Sequence, residues 1–146
     1  ILLLALGEFE NGSIRISDEE GTVTFLLKAN GEPKVQMNLG DAPHAMMQLT
    51  LYAEIELDTA GNAEERWDGT LKAALEEYIE NELARVFAAC KALTSDAMRF
   101  GRYACMQFSS DAAWQDYVWK QKYKQMTAEF SVAIHLDYRA ISAHVE

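Results

Sequence analysis

The side chains best suited to metal or nucleophilic chemistry are three histidines, His44, His135 and His144, and two cysteines, Cys90 and Cys105. His135 and Asp137 stand two apart on an alternating segment, which puts both on one strand face where they can chelate a cation. A solvated strand face produces the same pair, and that is the preferred reading. His44 follows Pro43 in a loop, and His144 lies close to the C-terminus. Two thiols fall short of a disulfide framework and of the four ligands of a structural zinc site. A bridge between neighbouring helices is geometrically open, but inert thiols acting as small hydrophobes are favoured. Two carboxylate pairs, Glu54 with Glu56 and Glu76 with Glu80, have the spacing of a general acid and base. A working pair needs burial to separate its pKa values, and these four are expected on solvent faces as ordinary surface acidity. The chain carries no Gly-rich phosphate loop, no His-Glu-x-x-His, no Gly-x-Ser-x-Gly and no Cys-x-x-Cys, which removes the common nucleotidyl, zinc-protease and hydrolase chemistries. The expectation is a protein without catalytic residues, metal or cofactor.

The aromatic residues Trp114, Tyr117, Trp119 and Tyr123 offer a platform for a ligand or partner. On one continuous helix, tryptophans five apart do not share a face; 114 pairs with 118, and 119 with 123. The structural alternative is preferred: Trp114 and Val118 cover a sheet, with Trp119 at its rim.

These residues belong to a chain of 146 residues with 49% hydrophobic content, enough for one buried core. A net charge of -10 and a pI near 4.7 argue against nucleic acid as a partner, because phosphate binding needs clustered Lys and Arg. The first residues, Ile1 to Leu6, are apolar and lack an initiating methionine. The chain is therefore read as a fragment. That opening is far short of the roughly 20 residues needed to span a bilayer.

Ile14 and Ile16, the turn Glu19-Glu20-Gly21, and Val23, Phe25 and Leu27 describe a β-hairpin. Asn30-Gly31-Glu32-Pro33 then has turn chemistry, and Val35, Met37 and Leu39 resume the alternation, predicting a second strand pair. Gly40 to Pro43 is a loop, and alternation from Leu49 to Leu57 predicts a half-buried strand. Residues 59–69 read as a polar connector. From Thr70 to Leu93 the period becomes helical. Leu71, Leu75, Tyr78, Ile79, Val86, Cys90 and Leu93 form the apolar stripe, with Glu76, Glu77, Glu80, Asn81 and Lys91 opposite. Ser95 is placed to cap a following helix that Gly101 ends or kinks. Ser109, Ser110 or Asp111 would cap the next, running through Trp114 and Val118 toward Tyr123. Phe130 to Tyr138 alternate as a closing strand. Together these elements predict an α+β domain, an antiparallel or mixed β-sheet with long helices packed on one face.

The order of these pieces resembles the C-terminal domain of the C subunit of spore germinant receptors, the GerAC-like lipoprotein family. The likeness is carried by the Leu-rich entry Ile1 to Gly7 before Asn11-Gly12-Ser13-Ile14, the strand Leu49 to Glu56 and the helix Leu71 to Leu93. It continues through Ser95-Asp96-Ala97-Met98-Arg99-Phe100-Gly101, Trp114 and Trp119, and the strand Phe130 to Arg139. Two features depart from the family. Its turn often has an extra glycine where Met98 or Arg99 stands, and this chain is unusually acidic. The resemblance implies that residues 1–146 form a single domain of a larger, non-enzymatic lipoprotein. A lipidated cysteine upstream of the fragment would hold it on the outer face of the spore inner membrane, beside integral-membrane A- and B-type subunits. Asp96, Gly101, Trp114, Trp119, Glu76 and Glu80 are then the candidate docking or structural positions. The rival reading is a small-ligand-binding or hydrolytic α+β domain of a secreted bacterial protein, with an apolar pocket near His135 or Asp137.

Overall fold

The computed structural model describes residues 1–137. Tyr138, Arg139 and His144 lie outside the described residues. A short helix, α1 (Leu2–Leu6), opens the chain. The expected hairpin is present: β1 (Asn11–Asp18) and β2 (Gly21–Ala29) pair antiparallel, with Ile14 opposite Phe25 and Ile16 opposite Val23. Gly21 adopts φ 138°, and a Cβ there would meet the Thr59 hydroxyl oxygen at 2.5 Å, so the turn requires glycine.

The second strand pair forms across the loop of residues 39–43 and not across Asn30 to Pro33. β3 (Lys34–Asn38) and β2 both pair antiparallel with β4 (His44–Asp58), β3 over residues 44–48 and β2 over residues 51–58. β2 and β3 therefore run in the same direction along one edge of β4. Asn30 to Pro33 interrupts this line without reversing it, and Asn30 N donates to Thr50 O at 2.9 Å. Local turn chemistry suggested a reversal, but the long β4 ladder prevailed because it offers both segments a full set of hydrogen bonds. β4 also begins five residues before the alternation of Leu49 announced it.

β5 (Thr127–Leu136) takes the other edge of β4 and runs parallel to it, from His44 opposite Thr127 to Ala53 opposite Leu136. The sheet is mixed, and helices cover one of its faces, as expected. The covered face buries Val23, Phe25 and Leu27 of β2, Met47, Leu49 and Leu51 of β4, and Val132, Ile134 and Leu136 of β5. Each full burial of this kind is worth about 1.5–3 kcal/mol.

Residues 59–69 are more than a connector. Asp58 accepts from Gly61 N at 3.0 Å and Ala63 N at 2.7 Å, which starts α2 (Ala63–Arg66). Arg66 is anchored to Asp18 and, at 2.8 Å, to Glu20. A π-helical turn, Trp67–Leu71, leads into α3 (Lys72–Ala92). Trp67 is only 3% exposed, and its ring lies 5.7 Å from Phe25. The polar neighbours of Trp67 hid a helical stripe that begins at Ala63.

The buried stripe recurs every four residues: Ala63, Trp67, Leu71, Leu75, Ile79, Leu83 and Phe87. Four residues of ideal α-helix turn through ~400°, and the wider π turn takes up part of the excess. Leu83 and Phe87 replace two expected core positions, Tyr78 and Leu93, which are 44% and 79% exposed.

Glu76 and Glu80 are not on the solvent face. Both are half-buried and turned onto the free edge of β5, where Ile134 N donates to Glu76 at 2.9 Å and Val132 N to Glu80 at 3.0 Å. Four helical residues rise about 6 Å, and two strand residues about 6.6 Å, so an i,i+4 carboxylate pair matches alternate N–H groups of an antiparallel-running strand. Unsatisfied edge donors outcompete solvent for these side chains.

Glu76→Ala and Glu80→Ala should each cost about 1–3 kcal/mol in urea unfolding by orphaning a strand N–H. Amide exchange at Ile134 and Val132 should speed up correspondingly. Glu→Gln at either site keeps an acceptor and should cost under half as much.

Candidate functional site

The helical layer after α3 is built around Asp96. α4 (Phe100–Cys105) begins where the Asp96 carboxylate accepts from Phe100 N at 2.8 Å and Gly101 N at 2.7 Å. A third donor arrives from Trp119, whose indole N–H reaches Asp96 Oδ2 at 3.2 Å. Burial pushes the Asp96 carboxyl above its ordinary value, while the three donors pull it back. Asp96, rather than Ser95, is the cap. Ser95 instead presents its carbonyl to the Tyr123 hydroxyl, which donates at 2.8 Å. Burial, then the nearby Asp96 charge, raises the Tyr123 phenol well above its usual range.

Gly101 neither ends nor kinks the helix; it sits in the first turn of α4. A Cβ there would lie 2.7 Å from Trp119 Nε1 and 2.9 Å from Asp96 Oδ2. Asp96, Gly101 and Trp119, singled out separately in the sequence, thus form one knot in which the glycine makes room for the indole.

Ser110 caps α5 (Asp111–Tyr117) by accepting from Ala113 N at 3.1 Å. The expected continuous helix breaks at Val118, and α6 (Trp119–Tyr123) starts afresh. Val118 adopts φ 54° and ψ 65°, a left-handed conformation that costs a β-branched residue about 1–2 kcal/mol. This elbow brings the rings of Trp114 and Trp119 to 5.9 Å, which no straight helix permits. Trp119 in turn lies 5.8 Å from Tyr123, Tyr123 lies 6.3 Å from Phe87, and Phe87 lies 5.6 Å from Phe100. Rings therefore connect the surface to the core. Val118, expected to cover the sheet, is 49% exposed. With Trp114, Gln115, Trp119 and Lys120 it lines an open concavity of about 350 Å³.

Thr94 and Arg99 are also left-handed, at φ 50° and 60°. Arg99 stands where the resembled family's turn often has its extra glycine. The turn keeps that backbone form without the residue that would adopt it freely.

The remaining candidates are dispersed. His135 lies on the uncovered face of β5 with its ring 6.2 Å from Tyr52, and Asp137 N donates to Ala53 O at 2.8 Å. Neither lines the Trp114–Trp119 concavity, nor the one of about 220 Å³ between Leu4, Phe9, Ile14 and Tyr78. His44 Nδ1 is 2.6 Å from the Thr127 hydroxyl. Glu54 pairs with Lys28 at 2.6 Å, and Glu56 accepts from Ser13 at 3.1 Å. Cys90 and Cys105 are half-buried free thiols. Tyr117, read from the sequence only as part of the aromatic platform, has a tie the sequence did not show: its hydroxyl donates to Gly40 O at 2.5 Å and accepts from Gly40 N at 3.1 Å, fastening α5 to the loop between β3 and β4.

The geometry defines a class: a mixed-sheet α+β domain in which Asp96, Gly101 and Trp119 lock a helical layer and hold an aromatic shelf at its surface. A family model described as "Spore germination B3/ GerAC like, C-terminal" matches residues 1–139. The chain belongs to this family of spore germination proteins, as the resemblance in its residues implied. Among solved structures, the crystal structure of the GerBC protein is similar, with a TM-score of 0.70 and 10% identity over 92% of this chain and 43% of that one. At that identity the likeness shows the fold, and the chain spans under half the length of the GerBC chain. No curated protein matches the sequence.

Gly101→Ala should cost about 1–3 kcal/mol despite its better helix propensity, and the Trp119 indole N–H resonance should shift as its bond to Asp96 breaks. Asp96→Asn leaves donors facing an amide and should also destabilise. The folded-state pKa of Asp96 is raised, so its linkage contribution is fullest below the ordinary 3.8 and is lost as pH climbs through the raised value. The penalty of Asp96→Asn, read by urea titration, should therefore shrink as pH rises across that window. Arg99→Gly, which gives up only an exposed 3.5 Å contact with Glu8, should raise stability by up to about 1 kcal/mol.

Proposed function

We propose that this chain is the C-terminal domain of the C subunit of a nutrient germinant receptor, and that it acts without catalysis by docking against integral-membrane A- and B-type subunits. The family supports the first part. Docking rests on one structural observation, a sheet face that no helix among the described residues covers. Across β3, β4 and β5 the centre of this face presents Gln36, Met46, Gln48, Tyr52, Ser131 and His135, in register with one another. Met46 and Tyr52 are 40% and 38% exposed. Along β4 from Met46 to Tyr52 this face carries no formal charge, while Glu129, Lys34 and Lys28 stand in register with Met46, Gln48 and Tyr52 on the neighbouring strands, and Glu54 follows. Depletion of charge with enrichment in Tyr and Met is the composition of an interface centre.

This choice narrows the sequence-based candidates. Glu76, Glu80, Asp96 and Gly101 have their side chains or space committed within the fold, so they support a docking surface rather than forming it. Among the described residues no helix is long and apolar enough to cross a membrane. We place the membrane attachment at a lipidated N-terminal cysteine ahead of Ile1, with the domain at the outer face of the spore inner membrane. Cys90 and Cys105, half-buried within α3 and α4, do not serve as that anchor.

Extraction of the full lipoprotein from spore membranes in detergent should bring down two polytopic subunits, and mass spectrometry should find a lipidated N-terminal cysteine. Met46→Glu with Ser131→Glu should cut recovery of the partners about tenfold or more, with an unchanged near-ultraviolet circular dichroism spectrum. Full recovery with the charged face, or an unlipidated protein that purifies alone, would overturn the reading.

A further inference from the structure

We infer that the elbow between α5 and α6 is a contact site for a lipid surface bearing anionic headgroups. The site is separate from the sheet face proposed for subunit docking and is carried by different observations. Charge is segregated along the sequence. Residues 91–126 hold six lysines and arginines against three aspartates, and one of those, Asp96, is turned inward to its three donors. Residues 1–90 hold six basic residues against seventeen acidic ones. Arg99 and Lys122 are met by acids of the first segment, Glu8 and Asp41, so attraction to a negative surface is carried at the α6 end of residues 91–126, by Lys120 and Lys124.

At that end, apolar and basic groups meet. Lys120 lines the same concavity as Trp114, Val118 and Trp119. Lys124 follows Lys120 at i+4 on one side of α6. Lys122 is turned away, bound to Asp41 at 3.0 Å and lying over the Tyr117 ring. Lys120 and Lys124 are exposed and meet no carboxylate among the described residues. The left-handed backbone at Val118 lifts its isopropyl group out of the fold at 49% exposure, beside two half-buried indoles.

This combination suits the interfacial zone of a bilayer. Indole rings settle at headgroup level, a short apolar tip enters the acyl boundary, and flanking lysines meet phosphates. The aspartates that remain outward in residues 91–126 are Asp111 and Asp116, both on α5. They fix the approach so that α6, rather than α5, lies closer to the charged surface. An acidic protein surface would satisfy the lysines but offers no acyl layer to Val118, so the lipid occupant is favoured.

The test is co-sedimentation of the chain with phosphatidylcholine vesicles, with and without phosphatidylglycerol. Binding is expected only to the anionic vesicles and should weaken with added salt. Lys120→Glu with Lys124→Glu should weaken it by about twentyfold or more, at roughly fivefold per lysine. Val118→Asn, which tolerates the left-handed backbone, should reduce binding at unchanged charge. Arg15→Glu with Arg85→Glu makes the same net-charge change elsewhere and should have far less effect. Absence of binding to anionic vesicles by the folded chain would overturn the inference, as would equal losses in the two charge-reversed variants. If the Lys120/Lys124 variant keeps its vesicle binding but loses a partner subunit on purification, the occupant is a protein and the lipid assignment fails. Because the vesicle assay contains no receptor subunit, its failure leaves docking through the sheet face unaffected.

Discussion

Parallel pairing of β4 with β5 is the constraint on which the rest of the structure depends. Parallel neighbours cannot be joined by a tight turn, because the chain must travel back to the level at which the first strand began. Here that return occupies everything between Asp58 and Thr127, so the helical layer is one long crossover. α3 makes the return. Its 21 residues span about 31 Å, close to the roughly 33 Å of a ten-residue strand. The crossover closes where Thr127 N donates to Pro43 O at 3.0 Å, just before β4 begins.

That geometry explains the two polar devices of the domain. Running alongside β5 in the opposite direction, α3 is placed to supply Glu76 and Glu80 to N–H groups that an edge strand would otherwise leave to solvent or to another chain. Beyond α3, the chain must turn several times in little space before β5 can start. Asp96 consolidates those turns by binding the start of α4 and the indole of α6 with one carboxylate. Left-handed Thr94 follows the end of α3, Arg99 precedes α4, and Val118 separates α5 from α6. None is glycine, so the strain is tolerated because surrounding packing over-determines the path.

The same crossover leaves two exposed surfaces of different chemistry. It covers one face of the sheet, and among the described residues no helix covers the other. It also brings Trp114, Val118, Trp119 and Lys120 together at one concavity.

Local periodicity made much of this legible. The first hairpin, the alternation of β4 and β5, the amphipathic α3, a cap among Ser109, Ser110 and Asp111, and the α+β class with helices on one face were all readable, because each is written in neighbouring residues. Asp96, Gly101, Trp114 and Trp119 were each singled out in the sequence, but their contacts with one another were not. Other features were decided only by contacts distant in sequence. Asn30-Gly31 did not reverse the chain, because β4 took both flanking strands. Glu76 and Glu80 turned inward, because an edge 52 and 58 residues away needed acceptors. Asp96, Gly101 and Trp119 became one site, because a break at Val118 swung an indole onto a carboxylate 23 residues earlier. Periodicity reports which side of an element is apolar. Which polar groups find one another depends on how the crossover folds back, and that is a property of the tertiary structure.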